Sequence, residues 1–330
     1  MLPLKIAGIG AYFPEQRETK EDFIRRGIPE DIIERLGVYE RRVVTKGQTA
    51  ADLEVEAARQ AIEDAEIAPS DIDLIIGITA LPQAIGMSNA NLLQHRLGMS
   101  HAAAFDVTQA CGAVIPAMVI AANFISMKQY KNILLSTSCH WSVVADPSHP
   151  AADFPLGDGA AAMVMSASRS GFGIISFEMR SEGRFFYNCG IAVGRDHGTR
   201  YFERHNDNLL FFLDKSGLDG STDFRDFALN SLPATFKAAL DKADLNSSDI
   251  NCAAIHGNVK PLAEAWIKGM GVPPERFPLT YQQYGNMSAV TMPVNLREGL
   301  NRGMVKRGDI VALASQGAGF STGAIIMKWD

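Results

Sequence analysis

The chain has 330 residues, 47% of them hydrophobic and 21% charged, which is material for a buried core and for two domains or two packed halves. Its net charge of -6 argues against nucleic acid or an anionic membrane as a partner. The four cysteines (Cys111, Cys139, Cys189, Cys252) form no CxxC pair and no metal-ligand spacing, so neither disulfides nor a metal site is expected.

In chain order, the start (Met1-Leu2-Pro3-Leu4-Lys5-Ile6) lacks the charged and apolar regions of a signal peptide, and a cytoplasmic location is expected. Helices are predicted over Ala50–Ala65, Asn89–Leu97, Gly112–Met127, Phe227–Lys242 and Lys260–Gly269. Short apolar strands alternate with them at Leu74–Ile78, Ala103–Val107, Ile133–Ser136, Ala160–Met165, Ala253–Ile255 and Ile310–Ala314. Uncharged strands between helices imply sheets buried on both faces, so the class is α/β. The uncharged run Ala110 to Met127 approaches the length of a membrane span. Pro116, Asn123, Ser126 and the strand before it favour a central buried helix instead. The segment Arg184–Gly217 is polar, aromatic and without period, and is expected to be an insertion or loop covering a site.

The chain also repeats itself. Residues 61–76 and 239–254 each read as an alanine-rich helix, a Ser-Asp turn and a short apolar strand, 178 residues apart. A second echo, Gly159-Ala160-Ala161-Ala162-Met163 and Gly323-Ala324-Ile325-Ile326-Met327, follows in the same order. The expected organisation is a duplicated domain: an N-terminal half (1–170) and a C-terminal half (171–330) carrying the insertion near 184–217.

Cys111 lies where an apolar strand gives way to the small-residue helix. A helix N-terminus favours thiolate, and Gly112 removes bulk beside it, so Cys111 is a candidate nucleophile for acyl transfer. A free cysteine is more often a buried apolar residue, and the other motifs decide against that. His256 ends the strand Ile255-His256-Gly257, Asn286 sits in the turn Gly285-Asn286-Met287-Ser288-Ala289, and Gly317-Ala318-Gly319 forms a glycine-rich corner. Together they supply a nucleophile, an imidazole, an amide donor and a main-chain N–H that can approach an oxyanion.

These motifs, with Gly8-Ile9-Gly10-Ala11 and Gly37-Val38-Tyr39-Glu40-Arg41 before them and Gly157-Asp158-Gly159-Ala160 between them, resemble the thiolase superfamily nearly end to end. Within it the chain is similar to the β-ketoacyl-acyl-carrier-protein synthase III group. The resemblance implies two β-α repeats (each βαβαβαββ) in a five-layered αβαβα arrangement, and a homodimer. It implies Cys111, His256 and Asn286 as catalytic residues, with the N–H groups of Cys111 and Ala318 as oxyanion hole. It implies no cofactor, the acyl groups arriving on the phosphopantetheine of an acyl carrier protein or on coenzyme A. The implied reaction is decarboxylative Claisen condensation of a Cys-bound acyl group with a malonyl- or β-ketoacyl-thioester. Relatives that transfer acyl groups to oxygen often carry an acid where this chain has Asn286.

Several positions depart from the pattern. The Trp and Arg that clamp the adenine of coenzyme A in housekeeping members fall at Asp31 and Pro150. Contacts of that type contribute about 1 kcal/mol or more each, so delivery on a carrier protein is expected. The Asn three places after the histidine is Val259, with Asn258 beside it, and the basic residue beyond falls at Pro261, next to Lys260. The aromatic residue that caps the acyl pocket across the dimer falls at Gly86, which leaves room for a longer or branched chain. Trp141 and Trp266 are candidates for an altered entrance, and Gly317 and Gly319 for substrate contact. These differences favour a specialised, secondary-metabolic or polyketide-type member. The alternatives are an acyltransferase making an ester or amide through the same Cys111, and a partner subunit of a heteromeric synthase. A papain-like hydrolase does not fit the duplicated α/β pattern.

Overall fold

The computed structural model describes residues 1–79, 81–82, 86–144, 154–193, 209–213 and 222–330. The first half runs β1 (Lys5–Tyr12), β2 (Arg17–Thr19), α1 (Lys20–Arg25), α2 (Glu30–Leu36), β3 (Glu40–Arg42), α3 (Ala50–Asp64), β4 (Leu74–Thr79), α4 (Asn89–Arg96), β5 (Ala103–Asp106), α5 (Val114–Ser126), β6 (Asn132–His140) and β7 (Asp158–Ser166). The second runs β8 (Gly173–Ser181), β9 (Cys189–Val193), β10 (Leu209–Leu213), α6 (Thr222–Ala243), β11 (Cys252–Ile255), α7 (Lys260–Met270), α8 (Tyr281–Tyr284), α9 (Thr291–Asn301), β12 (Ile310–Gly317) and β13 (Ser321–Lys328).

Two mixed sheets share one plan. The first has the order β1-β7-β6-β4-β5, the second β8-β13-β12-β11. In each, a parallel pair (β4 with β6, β11 with β12) is followed by an antiparallel return strand (β7, β13) that also pairs with an edge strand (β1, β8). Strand alternation divides the core into layers. Leu74, Ile76, Val311 and Leu313 face inward onto the buried apolar side chains of α5, while Ile75 packs under α3 and α4, and Ala312 and Ala314 under α6 and α7. That is the five-layered αβαβα arrangement. The α5 helix, apolar on nearly every side, can sit between two sheets because its alanines (Ala117, Ala121, Ala122) let both approach. Each fully buried Ile or Leu contributes about 2 kcal/mol.

The repeat extends to details of hydrogen bonding. Asp71 accepts from the N–H of Ala68 at 2.9 Å, and Asp249 from that of Asn246 at 2.8 Å, each closing a 3-10 turn before its strand. Glu66 and Asp244, again 178 residues apart, both adopt left-handed backbone where the helix ends, at φ 54 and φ 55. Ala110 (φ 47) and Ser288 (φ 52) form a third such pair, each opening a 3-10 turn that leads into a central helix, α5 or α9.

Part of Arg184–Gly217 is regular, contrary to expectation: a 3-10 turn over Gly183–Asn188 and an antiparallel pairing of β9 with β10. Residues 194–208 and 214–217 of that segment lie outside the described residues. No helix among the described residues is long and apolar enough to cross a membrane.

Candidate active site

Cys111 sits in the 3-10 turn Ala110–Gly112 at the strand-to-helix corner, and α5 begins at Val114, two residues later than its composition predicts. The left-handed Ala110 before it makes the sharp corner. Gly317 makes a close approach possible from the second half. A Cβ there would lie 2.5 Å from the Gln109 carbonyl oxygen and 2.6 Å from the Gly112 nitrogen, so only glycine lets the end of β12 lie against the nucleophile's turn. The main chain of Ala318, next along, hydrogen-bonds toward the Cys111 sulfur, as does the main chain of Cys111 itself.

The thiol does not have the depressed pKa expected of a helix N-terminus. Burial pushes it up, and the hydroxyl of Ser288 and the two main-chain groups only partly offset that. Desolvation penalises the charged form more than the dipole of one helix end rewards it. Among the described residues no charged side chain contributes.

His256 follows β11, its N–H donating to the Ala314 carbonyl at 3.0 Å, which extends the β11–β12 pairing by one residue. It is 2% exposed, and burial lowers its pKa to about 4, with the main chain of Ser288 pulling the other way. The imidazole is therefore neutral near pH 7. Its Nδ1 is buried and has no hydrogen-bond partner among the described residues.

Asn286 is placed by a crossing of two backbones. Its N–H donates to the Pro155 carbonyl, and its own carbonyl accepts from the N–H of Gly157 at 3.0 Å. A Cβ on Gly157 would lie 2.0 Å from the Tyr284 carbonyl oxygen, and one on Gly285 2.4 Å from that of Pro155. Both glycines are thus conditions of the crossing. Below it, Arg41, 3% exposed, donates to the Leu156 carbonyl at 2.8 Å and pairs with Glu18 at 2.7 Å. The Asn286 side chain closes a local turn, Oδ1 accepting from the Ser288 N–H at 2.9 Å.

Ser288 joins the three. Its hydroxyl donates to Cys111 Sγ at 3.1 Å, its N–H to Asn286, and its main chain lies against His256. Ser288 belongs to the Gly285–Ala289 turn, where a lone serine carries no signal of a role; only its place 178 residues after Ala110, in the repeat, marks it.

The remaining candidates divide. Trp141 is buried in the apolar cluster of Cys139, Leu156 and Met287, beneath the Asn286 segment. Among the described residues, nothing lies within 4 Å of where a Cβ would stand on Gly86 (φ 84) or Gly319 (φ 76). Asn258 accepts from the N–H of Val259 at 2.8 Å, a local turn before α7 that links it to none of the three. Trp266 is fully buried under α6, its Nε1 donating to the Ala228 carbonyl at 2.9 Å, which makes it a core residue rather than an entrance. Asp31 is exposed on α2, and Pro150 lies outside the described residues. Among the described residues no group of acidic, His and Cys side chains could hold a metal ion. A groove of about 640 Å³ between α3, β1 and α9 is lined by none of these site residues.

Residues 105–183 match the family model described as 3-oxoacyl-[acyl-carrier-protein (ACP)] synthase III, residues 240–329 its C-terminal counterpart, and residues 35–138 the thiolase N-terminal domain. The chain is 31% identical to the beta-ketoacyl-[acyl-carrier-protein] synthase III of Fusobacterium nucleatum, across 100% of this chain and 99% of the relative. The chain belongs to the β-ketoacyl-acyl-carrier-protein synthase III family. It is accordingly an acyltransferase of the condensing type, on the thiolase fold. The solved 3-oxoacyl-[acyl-carrier-protein] synthase III of Aquifex aeolicus is 27% identical, with a TM-score of 0.86 over 99% of this chain and 100% of that one. OleA of Xanthomonas campestris, at 23% identity and a TM-score of 0.84 over 99% of each chain, shares the fold.

Proposed function

We propose that this synthase III-family protein forms a carbon–carbon bond by decarboxylative Claisen condensation, with Cys111 as nucleophile and His256 and Asn286 as enolate donors. The observation that carries the reading is the convergence on Ser288 of a part-buried thiol, a neutral imidazole and an amide of fixed orientation. The two halves, 1–170 and 171–330, would then each supply one side of the site.

In the first step the Cys111 sulfur attacks the carbonyl carbon of an acyl thioester. The N–H groups of Cys111 and Ala318 stabilise the oxyanion. The carbon–sulfur bond to the carrier breaks, and the thiol proton leaves with the departing pantetheine thiol. In the second, a malonyl-type thioester binds with its thioester oxygen toward His256 and Asn286. Loss of carbon dioxide leaves an enolate, which these neutral donors stabilise. Because Oδ1 of Asn286 is held by Ser288, Nδ2 is the end left to donate, and half-burial strengthens that bond. The enolate carbon attacks the acyl-cysteine, the new carbon–carbon bond forms, and Cys111 is released as thiolate. A neutral His256 suits donation and has no part as a charge partner for that thiolate.

The same reading extends to substrate. Asp31, exposed and acidic, offers no ring for an adenine, which favours acyl delivery on a carrier protein. The open space at Gly86 favours a longer or branched acyl chain, and both favour a specialised member; a homodimer is carried over from the family resemblance alone. The test is product analysis with an acylated carrier and malonyl or β-ketoacyl carrier. Carbon dioxide release with a β-ketoacyl product is expected. An ester or amide formed without carbon dioxide would replace this reading with the acyltransferase one.

A further inference from the structure

We propose that Ser288 is a fourth catalytic group, whose hydroxyl donates to the Cys111 sulfur and stabilises the thiolate as it forms during acyl loading, with no part in decarboxylation. The inference rests on the reading of Cys111 as the acyl-accepting nucleophile.

The geometry supports a direct role. The Ser288 hydroxyl donates to Sγ at 3.1 Å, within the longer reach normal for sulfur. Ser288 is 2% exposed, so bulk water does not compete for this donor. Among the described residues no charged side chain contributes at the sulfur, and a neutral His256 brings no positive charge. A thiolate formed here is stabilised by neutral donors alone, and Ser288 is the only side chain among them in the described residues.

The backbone adds a second, independent observation. Ser288 has φ 52, a left-handed conformation that costs an ordinary L-residue on the order of 1 kcal/mol. Two bonds pin the turn: the Ser288 N–H to Asn286, and the Met287 N–H to the Thr291 hydroxyl at 3.2 Å. The same conformation at Ala110 turns the chain so that Cys111 faces the site. At the pseudo-equivalent corner it turns the hydroxyl of Ser288 onto that sulfur. A conformation with a cost, maintained at both corners, fits a positioned donor better than a space-filling residue.

The chemistry then balances without a proton from serine. Cys111 S–H and an acyl thioester give the acyl-cysteine and a free carrier thiol, and Ser288 keeps its proton throughout. The hydroxyl bonds strongly to the thiolate and weakly to the thioester sulfur, whose lone pair is shared with the carbonyl. Its contribution therefore falls on the two steps in which the sulfur carries charge, acyl loading and release of Cys111 after condensation, and not on decarboxylation.

The experiment reads thiol ionisation without any substrate. The full-length protein and Ser288→Ala would be alkylated with iodoacetamide across pH 6 to 10, and Cys111 modification followed by peptide mass. The expected result is a Cys111 pKa raised by about one unit, hence alkylation about tenfold slower below it. Acyl loading should slow to a similar degree, while malonyl-thioester decarboxylation stays within about twofold. Should Ser288→Ala fail to fold, Ser288→Gly removes the hydroxyl while relieving the left-handed backbone, and the same shift is expected. An unchanged alkylation profile in a folded variant would overturn the role of Ser288, whatever the activity. Failure of the unaltered protein to load any acyl group would instead refute the condensing reading and leave the alkylation result standing by itself.

Discussion

Asn286 and Ser288 are joined by a 2.9 Å hydrogen bond in which the Asn286 Oδ1 accepts from the Ser288 N–H. This bond decides which end of the amide is spare. An amide and a carboxylate are nearly the same shape, so Asn286→Asp can keep the bond to Ser288 while replacing a donor by a negative oxygen. Malonyl-thioester decarboxylation is expected to fall by about 10²–10³-fold, with loading of Cys111 retained. Carbon dioxide release and intact-protein mass, measured on one preparation, separate the two effects.

His256 gives a pH signature in stability. Its folded pKa, about 4, is depressed below the unfolded value of about 6.5. Between those values the unfolded chain binds more protons, so stability is full above about pH 6.5 and falls as pH drops toward 4. The loss is at most about 3 kcal/mol. His256→Gln should flatten this slope in thermal melts taken from pH 7 to 4, and an unchanged slope would remove His256 as its cause.

Glu54 predicts a slope of the opposite sign. It is 1% exposed, bonded to Asn89 and Ser138 at 2.6 and 2.5 Å, and burial raises its pKa to about 8. A carboxyl with a raised folded pKa stabilises fully below its unfolded pKa of 4.5, and that contribution is lost as pH rises through 8. Glu54→Gln keeps the shape of the neutral acid. Its melting temperature should match the parent near pH 5 and exceed it at pH 8 to 9.

Gly157 tests the backbone crossing beneath Asn286. A methyl group there meets the Tyr284 carbonyl at 2.0 Å, so one strand of the crossing must move. Gly157→Ala is expected to cost about 2–3 kcal/mol in denaturant unfolding and to impair decarboxylation more than loading.

Much of the fold was legible because its buried strands are uncharged and its two halves echo each other. What escaped did so for identifiable reasons. Strand β1 carries Gly8 and Gly10, which weaken a strand signal, yet a Cβ on either would come within 2.3 and 2.0 Å of the Ala61 and Ala57 carbonyls of α3. The glycines that hide the strand are those that let the helix pack on it. Strand β6 continues to His140 because Ser136, Thr137 and Ser138, polar in sequence, are buried between neighbouring strands. At the site, Cys111, His256 and Asn286 stand out by motif. The thiol's raised pKa could not be read from a motif, because it depends on how deeply the folded second half covers the sulfur.

The most direct test of the account is intact-protein mass spectrometry after exposure to a panel of acyl groups, each offered on carrier protein and on coenzyme A, with Cys111→Ala as control. The account predicts a mass increase equal to the acyl group, faster from carrier protein and absent in the variant. Equally fast loading from coenzyme A would contradict the inference drawn from Asp31. An unmodified protein with every donor would contradict the central claim that Cys111 is an acyl-accepting nucleophile.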